Sequence, residues 1–327
     1  MLRIYTSQNG HLTPVENFQR PEALGALWFD LLDPTHEEAS LVESHLGIAL
    51  PTRDEMAEIE LSDRLFQEDG AEFMTVTTVT SMESDDPVKA PVTFVIKGQA
   101  LVTVRHADPK PFRTYLAKAE RGNLAPCTSG EGVMLGLIEA IIDRAADALE
   151  RIGDEVDAIS REVFRNKAKS VSKKTRNLQS LIEQIGRKGD LLTKLRESLV
   201  SVTRMIAFHG AVDRSARRAS KDVRQRAKLI QRDAAALGEH AVFLSGKVNF
   251  LLDATLGLIN LEQNQIIKIF SVAAVVFLPP TLVASIYGMN FDFMPELHWS
   301  FGYPYAIALM VVSAMLPYLY FKRRGWL

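Results

Sequence analysis

Two stretches of this chain carry no charged side chain, 23 residues from Ile269 to Phe291 and 25 from Leu297 to Phe321. A helix needs about 20 apolar residues to cross a hydrocarbon core. Runs this long and this uniform around the helix exceed what one buried face of a soluble bundle requires. They predict two membrane-spanning helices. Lys322, Arg323 and Arg324 close the second run, while the connection from Gly288 to Ser300 holds acids and no Lys or Arg. Basic residues stay on the cytoplasmic side, so the C-terminus is expected in the cytoplasm. Two crossings return the chain to its starting side and put the N-terminal part there as well. The first thirty residues show no basic start followed by an apolar stretch, so no cleaved signal peptide is expected.

The rest of the chain is a different material. It has 38 Lys and Arg against 40 Asp and Glu, and only Asp292, Glu296, Lys322, Arg323 and Arg324 of these follow Lys268. A net charge of -2 lacks the basic excess of a general nucleic-acid binder. The single cysteine, Cys127, cannot make an internal disulfide or a thiolate zinc cage and reads as a buried thiol. The seven histidines are scattered without metal-ligand spacing, and no phosphate loop, dinucleotide fingerprint or nucleophile elbow occurs. Neither an enzyme nor an organic cofactor is expected.

The fold class reads as α+β in three parts: a cytoplasmic α/β domain over 1–130, a long-helix stalk over 131–268 and a membrane domain over 269–327. The last divides into a first helix at about 269–288, an outer loop 289–302, a second helix at about 303–321 and a basic cytoplasmic tail 322–327. Strands are expected at Leu2–Thr6 with an Asn9-Gly10 turn, and at 26–32, 73–81, 92–96 and 100–104, the last two joined at Gly98. Thr35 with Glu38 forms a capping box. After Gly132, Leu135, Ile138, Ile142, Ala145, Leu149, Ile152, Val156, Ile159 and Val163 keep a 3,4 spacing, the seam of a long coiled-coil-like helix. A second seam runs from Leu178 to Val202, with Gly210 expected to end that helix and a third expected to start near Ser215. Glu139, Asp143, Asp147, Glu150, Asp154 and Asp157 form an acidic stripe, read either as a face for cations or a basic partner helix, or as a solvated surface. Arg217, Lys221, Arg224 and Lys228 read as a solvated helix start, since Arg224 lies about 68 Å of continuous helix before Ile269.

Traced back from the first membrane segment, the same spacing picks out Ser285, Thr281, Leu278, Ala274, Ser271, Ile267, Asn264, Asn260, Gly257 and Asp253. One helix face thus runs from cytoplasm through membrane. Within the membrane it is small or hydroxylated except at Leu278. Such a face serves either close helix packing or the wall of a water-filled path. Asn264 and Asn260, amides at the cytoplasmic mouth, and Asp253 about three turns further back favour the path. Two crossings enclose no pore, so a channel requires several copies around a symmetry axis. Pro279 and Pro280 remove backbone donors mid-segment and predict a kink or additional polar surface. Ile267 and Leu278 are candidate apolar constrictions.

Beyond this segment the chain reads Tyr287-Gly288-Met289-Asn290-Phe291-Asp292-Phe293-Met294-Pro295-Glu296-Leu297. This string resembles the signature of the CorA family of divalent-cation channels, Gly-Met-Asn followed by a Met-Pro-Glu-Leu loop; Asp292 stands where the family commonly has Glu. Phe277-Leu-Pro-Pro-Thr-Leu-Val-Ala-Ser, the ending Tyr318-Leu-Tyr-Phe-Lys-Arg-Arg-Gly-Trp-Leu and, more loosely, Trp28-Phe-Asp-Leu-Leu-Asp-Pro-Thr are similar to its magnesium-carrying bacterial branch. The resemblance implies a homopentameric funnel in the cell inner membrane with the pore made by five copies of the first membrane helix. It also implies Mg²⁺ as cargo and regulator, with Co²⁺ and Ni²⁺ as further cargo. Gly288, Met289 and Asn290 match the entrance motif. Asp253 resembles an acid of an intersubunit sensing site, for which Glu83, Asp85 and Asp86 are further candidates. The chemistry fits independently: Mg²⁺ releases its waters reluctantly, and a ring of Asn290 amides can hydrogen-bond a hydrated ion without trapping it. Asp292 and Glu296 in the outer loop can concentrate cations; Glu296 reads equally as a loop-structuring residue. A zinc carrier of the related ZntB branch and a membrane-anchored cation sensor or scaffold are the competing readings.

Overall fold

The computed structural model describes residues 1–8, 10–15, 25–84, 86–121, 128–165, 171–216, 220–290 and 294–326. The chain forms two compact units, Met1–Phe164 with Ile182–Leu251, and Arg165–Leu181 with Leu252–Leu327.

The first unit begins with strands β1 (Leu2–Gln8), β2 (His11–Val15) and β3 (Trp28–Leu32), followed by helices α1 (His36–Leu46), α2 (Arg53–Ala57) and α3 (Leu61–Arg64). Then come β4 (Leu65–Glu68), β5 (Ala71–Thr80), β6 (Val88–Lys97), β7 (Ala100–Arg105) and helix α4 (Lys110–Glu120). The strands make one sheet in the order β2-β1-β3-β7-β6-β5-β4. Only the β3–β7 pairing is parallel. All six residues of β7 are buried, as expected of a central strand covered on both faces. On one face Val42 and Met56 of α1 and α2 join Phe29, Phe73 and Val102 in a core cluster. On the other, Trp28 packs against Phe112 and Tyr115 of α4 at ring distances of 6.4 and 6.3 Å. The capping box at Thr35 and Glu38 is formed, and a second one, Thr52 with Glu55, starts α2.

Helix α5 (Gly130–Arg165) then takes over, followed by α6 (Val171–Ala216) and α7 (Lys221–Tyr287). Gly136 lets α5 lie against α4, because a Cβ there would sit 2.3 Å from the Tyr115 ring. Every residue of the expected α5 seam is buried, as are Leu178, Leu181, Ile185, Leu192, Leu195, Leu199 and Val202 of α6. A third seam completes the layer: Ala227, Ile230, Ala234, Ala241, Leu244, Val248 and Leu251 of α7 are buried at the same 3,4 spacing.

Two helix limits differ from expectation. Gly210 does not end α6, which continues to Ala216. An internal glycine costs only about 1 kcal/mol, and buried Met205, Ile206 and His209 hold the turn before it in place. The next helix starts at Lys221 rather than near Ser215, where Ser220 accepts from the Val223 amide through Oγ (3.3 Å) and from the Arg224 amide through its carbonyl (3.1 Å).

The second unit contains the membrane half of α7, a short 3-10 helix Pro295–His298 and α8 (Gly302–Arg323). Helices α7 and α8 are long and apolar enough to cross a membrane by length and composition. At one end of this pair the Lys268 ammonium lies 5.8 Å from the Trp326 ring centre, and Arg324 stacks on Tyr320 at 5.6 Å. The start of the first span and the end of the second therefore meet, with their basic residues on one side. At the other end Trp299 packs on Phe301 and Tyr305 at 6.3 and 5.8 Å. Aromatic residues at both ends of an apolar pair suit the two membrane interfaces.

Candidate functional site

Helix α7 runs unbroken from Lys221 to Tyr287 through Pro279 and Pro280. Asp253, Gly257, Asn260, Asn264, Ile267, Ser271, Ala274, Leu278, Thr281 and Ser285 are all exposed in the single chain. Thr255 and Glu262 are buried instead, and two residues of helix turn through about 200°, so these lie nearly opposite Asp253 and Asn264. In the stretch before Lys268 the packed and the exposed faces are thus distinct. Ile267 and Leu278, the two apolar points of the stripe, are 61% and 66% exposed, so nothing in one chain covers them. The Thr281 hydroxyl donates to the Phe277 carbonyl within the helix, turning one expected polar point of the stripe inward.

At the far end of α7 the Gly288 amide donates to the Ala284 carbonyl at 3.0 Å and the Met289 amide to that of Ile286 at 3.2 Å. A Cβ on Gly288 would stand 3.1 Å from the Ala284 oxygen. A side chain there would meet a tight contact with the last turn of the helix, which glycine avoids. Met289 and Asn290 are exposed, and the Asn290 amide has no partner among the described residues. The carbonyl end of a helix carries partial negative charge, so cation-favouring dipole and free amide coincide here. Glu296 falls in the 3-10 helix Pro295–His298; Asp292, like Asp85, Cys127 and Arg217, lies outside the described residues.

The remaining acids behave differently from one another. Glu83 sits in the β5–β6 connection, where its Oε1 accepts from Arg144 at 2.6 Å and from Lys110 at 3.3 Å. These two cations, Arg144 first, hold its carboxyl below the usual range. Arg151 donates to the Met82 carbonyl and Lys194 to that of Pro87, at 3.1 and 2.7 Å. The connection is therefore pinned by cations, and Glu83 is already neutralised as an anchor. Asp86, whose amide donates to Ser84 Oγ at 3.3 Å, is exposed. Asp253 belongs to the other unit and is exposed. Among the described residues no three His, Cys, Asp or Glu side chains of one chain are grouped to hold a metal. An exposed carboxylate such as Asp253 has the oxygen chemistry Mg²⁺ takes, but it needs water or further chains to complete a shell.

The acidic stripe of α5 divides. Glu139 accepts from Arg226 of α7 through both oxygens at 2.6 Å, and Asp157 pairs with Lys247 of α7. Asp143, Asp147, Glu150 and Asp154 between them are exposed. Two buried polar clusters gave no sign in the spacing of their residues. Arg105, 1% exposed, grips Asp30 through Nε at 2.9 Å and Nη2 at 2.8 Å, with Thr103 and Asp108 completing the set. His209 stands between Glu72 at 2.7 Å and Glu131 at 2.8 Å. Burial alone would lower its pKa, but the hydrogen bonds that the imidazolium donates to Glu131 and Glu72 win and raise it to about 9. Partners 75, 137 and 78 residues apart in sequence are visible only in three dimensions.

The family model described as CorA-like Mg2+ transporter protein matches residues 24–323. A protein named magnesium transport protein CorA from Yersinia pseudotuberculosis is 40% identical over 328 residues, covering all of both chains. Its namesake from Escherichia coli K12 is 38% identical over 327 residues, again over all of both. In fold, the chain is similar to the CorA magnesium transporter of Methanocaldococcus jannaschii, with a TM-score of 0.75 at 18% identity over 100% of this chain and 99% of that one. The cytoplasmic domain of ZntB from Vibrio parahaemolyticus matches 79% of this chain and 97% of its own at a TM-score of 0.55 and 11% identity. A family model covering nearly the whole chain, together with full-length relatives at this identity, establishes that the chain belongs to the family of CorA-like Mg²⁺ transporter proteins.

Proposed function

We propose that this chain carries Mg²⁺ into the cytoplasm through a pore lined by the exposed face of α7 from several symmetry-related copies, five by analogy with the family, in the cell inner membrane with both termini cytoplasmic. The observation that carries this reading is the line of small, hydroxyl and amide residues from Asp253 to Ser285, exposed on one continuous helix and leading to the Asn290 amide, which has no partner among the described residues, at the carbonyl end. A hydrated ion is selected there by hydrogen bonds to its waters, which avoids the cost of stripping them. Inside the membrane the face offers, apart from Leu278, small and hydroxyl groups and no carboxylate, so a divalent ion meets no site that would hold it. Ile267 and Leu278 close the path by dewetting when the copies approach.

Asp253 is proposed as a regulatory ligand for internal Mg²⁺, shared between copies with an acid of the β5–β6 connection. Asp86 suits that role better than Glu83, whose oxygen is already taken by Arg144 and Lys110. Co²⁺ and Ni²⁺, of similar charge and hydrated size, are proposed as further cargo. The test is uptake by the purified protein in sealed vesicles: saturable Mg²⁺ entry supports the reading. Entry of Zn²⁺ with no Mg²⁺ would assign the chain to zinc transport, and no flux of either would leave a membrane-anchored sensor.

A further inference from the structure

A cavity of about 580 Å³ opens in the first unit between α6, the paired strands β5 and β6, and the segment from the end of α2 to the end of α3. That volume is in the range of small-molecule sites, about 300–1,000 Å³. Its polar lining is dominated by cations. Arg64 enters from α3, held by donation from Nη1 to Thr77 Oγ1 at 3.0 Å and from Nε to the Glu58 carbonyl at 2.5 Å. Those partners are neutral; burial lowers the Arg64 pKa and the nearby Glu197 charge opposes that shift only in part, so this guanidinium is partly desolvated and no carboxylate is bonded to it.

Arg196 and Arg204 enter from α6, two turns apart on one face, and neither has a hydrogen-bond or ion-pair partner among the described residues. Lys89 also lines the cavity, but it is paired with Glu197 at 2.8 Å, and these two cancel. Three guanidinium groups with no bonded carboxylate, Arg196 and Arg204 without any partner among the described residues, therefore face one cavity whose single acid is Glu197. The remaining wall mixes the hydroxyls of Thr77, Thr193 and Ser201 with apolar residues, of which Ile59, 89% exposed, and Val200, 38% exposed, have no covering partner. Guanidinium forks match phosphate oxygens two at a time and also stack on planar rings. A ligand that satisfies both parts of the lining carries several phosphate charges and a planar ring, with a face for Ile59 and Val200 and polar edges for the hydroxyls.

We propose that this cavity binds a nucleoside polyphosphate. None of the residues involved belongs to the ion path or to the acids assigned to regulation above, so the site is independent of the transport reading.

The test is equilibrium binding to the full-length, detergent-solubilised protein in buffer with EDTA, by calorimetry, using ATP and inorganic triphosphate as separate probes. Saturable ATP binding is expected, weakening as salt is raised. Arg196→Ala with Arg204→Ala, both exposed and therefore compatible with folding, is expected to weaken it by about tenfold or more. Inorganic triphosphate is expected to bind more weakly than ATP, because it leaves Ile59 and Val200 uncovered. Equal affinity for the two probes would overturn the nucleoside part of the proposal. Absence of saturable ATP binding, or the same affinity in the double variant, would overturn the site.

Discussion

Replacing His209 with Gln tests how the sheet, α5 and α6 are tied together. His209 is 5% exposed on its side chain and Glu72 4%, with Glu131 at 20% on the other side of the ring. A pKa of about 9 in the fold against 6.5 in the unfolded chain corresponds to about 3 kcal/mol of stability at about 1.4 kcal/mol per unit. Because the folded value is the higher one, this contribution is complete below about pH 6.5 and is lost as pH rises through about 9. For a unit of this size about 3 kcal/mol moves the melting temperature by about 6–12 °C. Trp28 is the one tryptophan before residue 299, so thermal unfolding of the first unit can be followed by its fluorescence in a Trp299→Phe, Trp326→Phe background. The wild type should lose melting temperature between pH 6.5 and 9. His209→Gln should start lower by a similar amount and show little of that decline, the two curves converging at alkaline pH. Parallel curves across the whole range would mean that the imidazolium does not hold the two carboxylates.

Asn290→Ala is expected to abolish Mg²⁺ uptake while leaving insertion and assembly intact, because alanine offers no hydrogen bond to a hydrated ion; undiminished uptake by an assembled variant would remove Asn290 from selection. Topology is checked by thiol labelling of single cysteines at positions 2 and 296 in a Cys127→Ser background: only position 296 should react from outside, and outside labelling of position 2 would reverse the orientation. Asp253→Asn should need more internal Mg²⁺ to inhibit flux, since a ligand shifts an equilibrium only by its differential affinity for the two states; superimposable inhibition curves would take Asp253 out of the gate.

Much of this molecule was legible in its sequence because its order is local. The spans follow from uncharged runs, the α5 and α6 seams from a 3,4 period, and the Thr35–Glu38 cap from a spacing of three. The seam of α7 from Ala227 to Leu251 has that period too, but three of its members are alanines, a weak apolar signal beside the leucines of α6. What could not be read is what depends on distant partners. Glu83 looks like any loop acid until Arg144 and Lys110 are seen on it. The ends of the α5 acidic stripe become helix-to-helix ion pairs only because α7 brings Arg226 and Lys247 alongside. Asp30 and His209 likewise acquire their roles from residues on other elements. Strand β4 went unseen because its four residues, Leu-Phe-Gln-Glu, are too few for alternation to register.

The central claim is that one face of α7 is the wall of the ion path. Single cysteines at Ser271, Ala274, Leu278, Thr281 and Ser285, and at the flanking Val275, Phe277 and Leu282, in a Cys127→Ser background, put it to the most direct measurement. Mg²⁺ flux is recorded before and after exposure to a small, water-soluble, positively charged thiol reagent. Modification should block flux at the first five positions and leave it unchanged at the three flanking ones. Block at Phe277 or Leu282 with no effect at Ser271, Thr281 and Ser285 would show that the ions pass along a different face.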